Sequence, residues 1–465
     1  MKQKGDNSRR RFIKQASLAA LGLSAPVSAM IQFKAVNAMM SAPPPPPFGN
    51  YKALVFVFLG GGNDSFNMLM PNTTSEYNDY ATTRSNLAIP QNDLFGIAGN
   101  NYGLHPNLGG IKQLFDQGDA AMVANVGTLI EPTTVNQYQQ GTAPIPVGLF
   151  SHLDQYNHWH SGRADQRVNV GWGGQIADLL GSTNINQNIS MNVSLSGSNL
   201  FQFGNQTVEF AMNQNGPKLP FYYNETWGNN QERRAMTDSL LAHNYSDPFQ
   251  KTYADTFRKS IEASIEFEQA VNSLPGFNTA FSASSISQEM EMIAKTIAVR
   301  DTLGFERQIF FVQHNGWDHH DDLLINHANG MQEVNDAMVE FKNVLDEMGV
   351  FSDVTTFVGS EFARTLTSNG NGSDHAWGGN AILMGGDVIG NNVYGNYPSL
   401  QINSPQYLDG GVLVPTTATD SMFSELALWY GVEPNDLSTI FPNVGNFHNL
   451  ATLNTQNPPM GFMTM

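Results

Sequence analysis

Every residue from 318 to 322 is Asp or His: Asp318, His319, His320, Asp321, Asp322. Crowding carboxylates and imidazoles is costly unless a cation lies among them. Asp318 and His320 stand two apart, so an extended segment places both on one side. Imidazole with carboxylate suits zinc or manganese better than magnesium or calcium. The competing reading is a solvated helix start, with acids near the positive end of its dipole.

Other candidates follow apolar runs. Lys52–Leu59 leads into Gly60-Gly61-Gly62-Asn63-Asp64-Ser65, where Asp64 offers hard oxygen ligands to a divalent cation. A dinucleotide turn is disfavoured, because Ser65 fills the last glycine place and Asp64 would repel a pyrophosphate. Asp64 as a helix-capping turn residue is the rival reading. Val354–Val358 leads into Ser360-Glu361-Phe362-Ala363-Arg364, then a polar glycine-bearing loop to Asp374-His375. Glu361 at a strand end is placed as a ligand, and the loop could fold back over it. Arg364 has the planar fork that suits an anionic group. Ser151-His152, with Asp154, His158 and His160 behind, opens an expected helix. A hydroxyl there could be a nucleophile beside a metal, or simply an N-cap. No Gly-x-Ser-x-Gly elbow is present. His105 and His448 are further candidate ligands, read mainly as structural histidines.

These groups need a scaffold. Lys52–Leu59, Ala120–Val126, Gln308–Gln313, Val354–Val358 and Ala381–Met384 read as buried strands. Leu108–Phe115 reads as a helix, and Met331, Val334, Met338, Phe341, Leu345 and Met348 mark one face of another. Alternating strands and helices predict an α/β fold, a mostly parallel sheet with helices on both faces. Its sites should lie beyond the carboxyl ends of the strands. Two amphipathic helices, one from Tyr253 to Ile265 and one from Ile286 to Ile297, predict a helical insertion over about 196–305. The expected organisation is a signal over 1–38, a Pro-rich linker over 39–50, one domain over 51–455 and a peripheral tail over 456–465.

The chain has 465 residues, no Cys and a formal charge of -18. Absent cysteine excludes a disulfide scaffold, a Cys-ligated zinc site and a Cys nucleophile, leaving any metal to Asp, Glu and His. The acidity argues against nucleic acid as a partner. Seven Lys or Arg lie in residues 1–38 against Asp6 alone. There, SRRRFIK and the weakly apolar Ala16–Ala29 match a twin-arginine export signal. The expected partner is the twin-arginine translocation machinery and the expected location periplasmic or extracellular, with no transmembrane anchor left in the mature protein.

Together these stretches resemble an exported bacterial family, the domain-of-unknown-function family 1501. The likeness spans about 51–442. Its motifs are LGGGNDSFN (Leu59–Asn67), LHPNL (Leu104–Leu108), SHLDQ (Ser151–Gln155), WDHH (Trp317–His320, where the family favours FDTH), SEFART (Ser360–Thr365) and Asp374-His375. That family is similar to the alkaline phosphatase and sulfatase superfamily, whose fold and metal-assisted chemistry the resemblance implies. By position, Asp64 resembles the first-strand metal ligand, Ser151 the nucleophile, and Asp318 with His320 the metal pair. The superfamily's Asp-His motif matches Asp374-His375 by letters and Ser360-Glu361 by strand context. Ala363, Ala376 and Ser65 replace glycines common in the family. If those places need positive φ, they are strained.

The implied function is hydrolysis of a small anionic phosphate or sulfate ester through a hydroxyl nucleophile. Ser151, His152 and Arg364 would be catalytic. Asp64, Asp318, His320, Glu361, Asp374 and His375 would hold one or two divalent cations, zinc or manganese, with calcium and magnesium still open. The alternative is a non-catalytic, sulfatase-like binding or assembly component at the cell surface, motivated by the replaced glycines and the Asn- and Gln-rich stretch after 196.

Overall fold

The run from Ala53 to Leu59 is apolar throughout, and only a strand covered on both faces can bury it. It forms β1 (Lys52–Gly60), near the centre of a nine-stranded sheet. The structure, a computed structural model, describes residues 48–465. The expected signal and the linker up to residue 47 fall outside the described residues.

The other strands of this sheet are β2 (Ala120–Gly127), β3 (Asn192–Ser194), β4 (Phe210–Ala211), β5 (Arg307–Asn315), β6 (Val354–Gly359), β7 (Gly379–Gly385), β8 (Val393–Tyr394) and β9 (Thr417–Ala418). Their order is β8-β2-β7-β6-β1-β5-β3-β4, with β9 also beside β2. Six of the eight pairings are parallel, so the expected fold class holds. β7 departs from the pattern and runs antiparallel to both β2 and β6. No helix intervenes between β6 and β7, so the chain returns by a loop rather than a crossover.

Alternate residues of β1 feed two cores. Val55 and Val57 face α1 (Gly109–Gln117), α7 (Ser285–Ala298) and α8 (Leu323–Glu347), whose Met331, Val334, Met338 and Phe341 are buried. Leu54, Phe56 and Phe58 face α2 (His152–Ser161), α3 (Trp172–Leu180) and α9 (Thr419–Tyr430) through Trp159, Trp172 and Phe423. Two packed layers hold the strand ends in register, which is what a site built on those ends requires.

Two expectations change. The stretch 196–305 contains β4, α4 (Phe221–Asn224), α5 (Asn230–Leu241), α6 (Pro248–Asn272) and α7. α7 does not stand apart as an insertion: its Met290, Ile293 and Ile297 belong to the main core. The tail is not peripheral either. Phe462 and Met463 are buried, and the buried Glu425 accepts the N–H groups of Met460, Gly461, Phe462 and Met463.

Candidate metal centre

Parallel register brings three strand ends to one edge: Gly60 lies opposite Asn315, and Phe58 opposite Gly359. The next residues of β1 must then pass close to the others. Gly61 has φ +126°, and a Cβ there would stand 2.5 Å from the Asp318 nitrogen. Gly62 has φ +88° and packs on the Phe362 ring. This explains the glycine cluster: it admits the Asp318 backbone. Glu361 latches the turn, its Oε1 accepting the Gly61 N–H at 2.8 Å.

Three imidazoles meet at Asp318. His152 Nδ1 lies 2.9 Å from Glu361 Oε1, His320 Nδ1 3.1 Å from Asp374 Oδ1, and His375 Nδ1 3.0 Å from the Phe150 carbonyl. Each Nδ1 faces an oxygen acceptor, so a neutral ring protonated there would present a bare Nε2 to a cation. Those Nε2 atoms converge: His152 is 3.5 Å from Asp318 Oδ2, while His320 and His375 are 3.1 and 3.3 Å from Asp318 Oδ1. His320 Nε2 and His375 Nε2 stand 3.1 Å apart. Donors about 2.1 Å from one ion in tetrahedral array sit roughly 3.4 Å from one another. His152, Asp318 and His375 offer atoms all within 4.8 Å of one another. His320 stands outside that trio but lies 3.1 Å from both Asp318 and His375. The His152, Asp318 and His375 donors suit a divalent cation such as zinc. The Nδ1 acceptors supply the orienting shell that metal-binding histidines usually have.

The charges agree with this geometry. Burial pushes the Asp318 carboxyl up, but the Arg364 guanidinium 2.7 Å away, aided by His320 and His152, holds it below the ordinary carboxylate range. His152 is raised, chiefly by its bond to Glu361. His375 is lowered, chiefly by burial. Asp318 is 46% exposed, so the cluster opens to solvent.

The expected residues divide. Asp318, His320, His375 and His152 present donors, His152 having been expected as catalytic. Glu361 and Asp374 stand behind His152 and His320 rather than in the donor set. The two rival placements of the Asp-His motif therefore both reach the centre, through different atoms. The 374–375 loop returns onto the segment after Glu361: Thr365 N–H donates to the Asp374 carbonyl at 2.9 Å. Asp64 is corrected. It is fully buried and ion-paired with buried Arg84, which also donates to the Thr365 carbonyl at 2.9 Å. Burial raises the Asp64 carboxyl and Arg84 opposes that. Arg364 is corrected too. Its side chain is fully buried and donates to Asp318, to the Gly61 carbonyl at 3.2 Å and to the Ser373 carbonyl. It holds Asp318 in place rather than facing an anion. Ser151 is the N-cap of α2, accepting the Asp154 N–H at 3.4 Å. Its neighbours Phe150 and His152 both touch the cluster.

His105 accepts from Asn107 N–H at 3.0 Å and meets the His327 ring edge-on, and it is not one of these donors. His448 bonds the Ser421 hydroxyl at 2.7 Å. Ala363, Ala376 and Ser65 are not among the residues at positive φ, so no strain arises there. Ser65 is instead useful, its Oγ accepting the Asn380 N–H at 2.8 Å. Sequence reading missed Phe150, whose carbonyl orients His375 from a backbone at φ +71°. It also missed Phe362, whose ring lies 4.9 Å from that of His152 and 4.8 Å from that of His375. An apolar residue beside a motif carries no signal for either role.

Residues 51–408 match the family described as a protein of unknown function (DUF1501). The chain belongs to the DUF1501 family. A comparison with curated proteins finds no match. Among solved structures, it is similar to Ps i-CgsB in complex with k-i-k-neocarrahexaose, at 9% identity and TM-score 0.36, covering 85% of this chain and 77% of the other. It is also similar to the PsFucS1 sulfatase from Pseudoalteromonas sp., at 12% identity and TM-score 0.33, covering 87% and 70%. A third is the wild-type alkaline phosphatase PafA, at 12% identity and TM-score 0.27, covering 70% and 64%. Among the described residues, no helix of this DUF1501 protein is long and apolar enough to cross a membrane.

Proposed function

We propose that this protein is an exported, metal-dependent hydrolase of small phosphate or sulfate esters. One observation carries the reading: three imidazole Nε2 atoms, each oriented through Nδ1, converge on one carboxylate that solvent can reach. His152, Asp318, His320 and His375 would hold a zinc or manganese ion. Such an ion, when bound, lowers the pKa of a coordinated hydroxyl or water and neutralises charge on the transferred group. Ser151, at the amino end of α2, is the proposed nucleophile. Its Oγ forms the new bond to phosphorus or sulfur, the ester oxygen leaves with a proton as the alcohol, and water then frees Ser151. Arg364 keeps Asp318 ionised and fixed, while Glu361 and Asp374 fix two ring orientations. The SRRRFIK start supports export through the twin-arginine machinery to the periplasm or beyond.

A second reading is a sulfatase-like component that binds without cleaving. It is favoured by the two guanidiniums beside the motifs, Arg84 and Arg364, being buried and engaged by carboxylates. The deciding experiment is metal analysis of the purified protein together with turnover of phosphomonoester, phosphodiester and sulfate ester substrates. The hydrolase reading expects about one metal per chain, lost in Asp318→Asn and His375→Ala, and activity lost in Ser151→Ala. Metal retained with no turnover of any ester would leave the binding reading in its place.

A further inference from the structure

A cavity of about 370 Å³ is lined by none of the metal-centre donors. Its volume is in the range of small-ligand sites. It lies where two strands end: Leu129 follows β2, and Ala418 closes β9. β2 is antiparallel to β7, and β7 antiparallel to β6, so β2 and β6 point the same way. Cavity and centre therefore share one edge of the sheet. Two strand spacings, about 10 Å of sheet, separate β2 from β6, the strand that ends before Glu361. Ala376 and Trp377, next to His375, belong to one apolar cluster with Leu129, Val414 and Ala418. Phe150, whose carbonyl faces His375, packs against that cluster.

The lining selects the occupant. None of its thirteen residues is charged. An ion entering it would lose water without gaining an opposite charge. The Thr133, Thr134 and Thr416 hydroxyls are already engaged, by the Glu131 carbonyl, Gln137 Oε1 and the Asn396 carbonyl. Asn396 and Gln406 are bonded through their backbone carbonyls. Their side-chain amides have no partner among the described residues. An alkyl ligand would cover those amides unpaired. A hydroxyl both donates and accepts, as each amide does. Pro132, Pro405, Pro415 and Phe447 supply apolar surface beside them. A sugar ring matches both parts, with hydroxyls at its edge and C–H groups on its faces.

We propose that this cavity binds a neutral glycosyl group, and that a carbohydrate carries the ester cleaved at the metal centre. The second part rests on the hydrolase reading; the first does not. Calorimetry on the full chain takes neutral trisaccharides of glucose, galactose and mannose as probes, with trigalacturonate and 1-hexanol as charged and apolar comparisons. The expected result is one neutral trisaccharide bound per chain, weakened at least tenfold by Asn396→Ala with Gln406→Ala. That pair removes no side-chain hydrogen bond within the protein, so the melting midpoint should not move. Binding of no neutral trisaccharide would overturn the proposal, as would equal binding by the variant or tighter binding of either comparison. Turnover of 4-nitrophenyl phosphate and 4-nitrophenyl sulfate by the parent protein tests the hydrolase reading on its own. Trisaccharide binding with neither ester cleaved would keep the cavity as a glycan site and overturn its link to hydrolysis.

Discussion

Glu361 touches three partners and separates two explanations of the centre. Its Oε1 accepts from Gly61 N–H at 2.8 Å and faces His152 Nδ1 at 2.9 Å, while Oε2 lies 3.0 Å from the Ser360 hydroxyl. Glu361→Gln keeps an oxygen for Gly61 and His152 and can still face a hydroxyl, so the loop geometry should persist. What goes is the negative charge that makes His152 a better donor. Losing such an orienting carboxylate typically weakens metal binding about 10- to 100-fold. Competition against a chromophoric chelator reads this directly, and an unchanged affinity would reduce Glu361 to a loop latch. Residue types made this centre partly legible. Asp318, His320, Asp374 and His375 announced themselves by clustering. Asp64 misled, because its partner Arg84 sits twenty residues away on a helix with no motif to tie them. Arg364 misled because a fork suited to anions is equally suited to a carboxylate of its own chain.

At the level of elements, the strands were the most legible part, since a continuous apolar run with glycine behind it has few other uses. Direction was less legible: Gly379–Gly385 reads like its neighbours, and the absence of a crossover helix made it antiparallel. The turn after β1 is where element and site depend on each other. A Cβ at Gly61 would collide with the Asp318 nitrogen at 2.5 Å, whereas Gly118, also at positive φ, has nothing within 4 Å. Gly61→Ala should therefore cost roughly 2–4 kcal/mol through strain and overpacking, and also impair metal uptake. Gly118→Ala should cost about 1 kcal/mol, from backbone strain alone, with metal uptake intact. Equal costs in urea unfolding would contradict close packing at Gly61. The first turn of α9 offers a separate test. Asp420 is buried, and burial, with Asp165 nearby, pushes its carboxyl up to about 8. The folded chain keeps a proton that the unfolded chain releases from about pH 4 upward. Its stability should then fall between pH 4 and pH 8. Asp420→Asn should flatten that slope, with the melting difference from the parent largest near pH 8 and closing towards pH 4. A difference that does not vary with pH would show that Asp420 ionises normally.

Across the whole molecule, composition mattered through what it left available. Without cysteine, any metal site must be built from carboxylates and imidazoles, and the sheet gathers several of those at one edge. The carboxyl terminus shows where composition failed. Met and Pro suggested a loose end, but the buried carboxylate of Glu425 needed donors, and the last residues supply four N–H groups at 2.5–2.8 Å. Burial still pushes Glu425 up against those bonds, so the group is expensive to keep without them. Deleting residues 460–465 should cost more than the lost burial of Phe462, because it strands a buried carboxylate. That excess is separable. If the stranded group is the cause, Glu425→Met in the shortened chain should recover part of the loss, on the order of 2 kcal/mol, while Glu425→Met in the full chain should destabilise by leaving four N–H groups unpaired. The double-mutant cycle over deletion and substitution should therefore show strong coupling. Simple additivity in urea unfolding would mean the tail packs on the body without being anchored by Glu425.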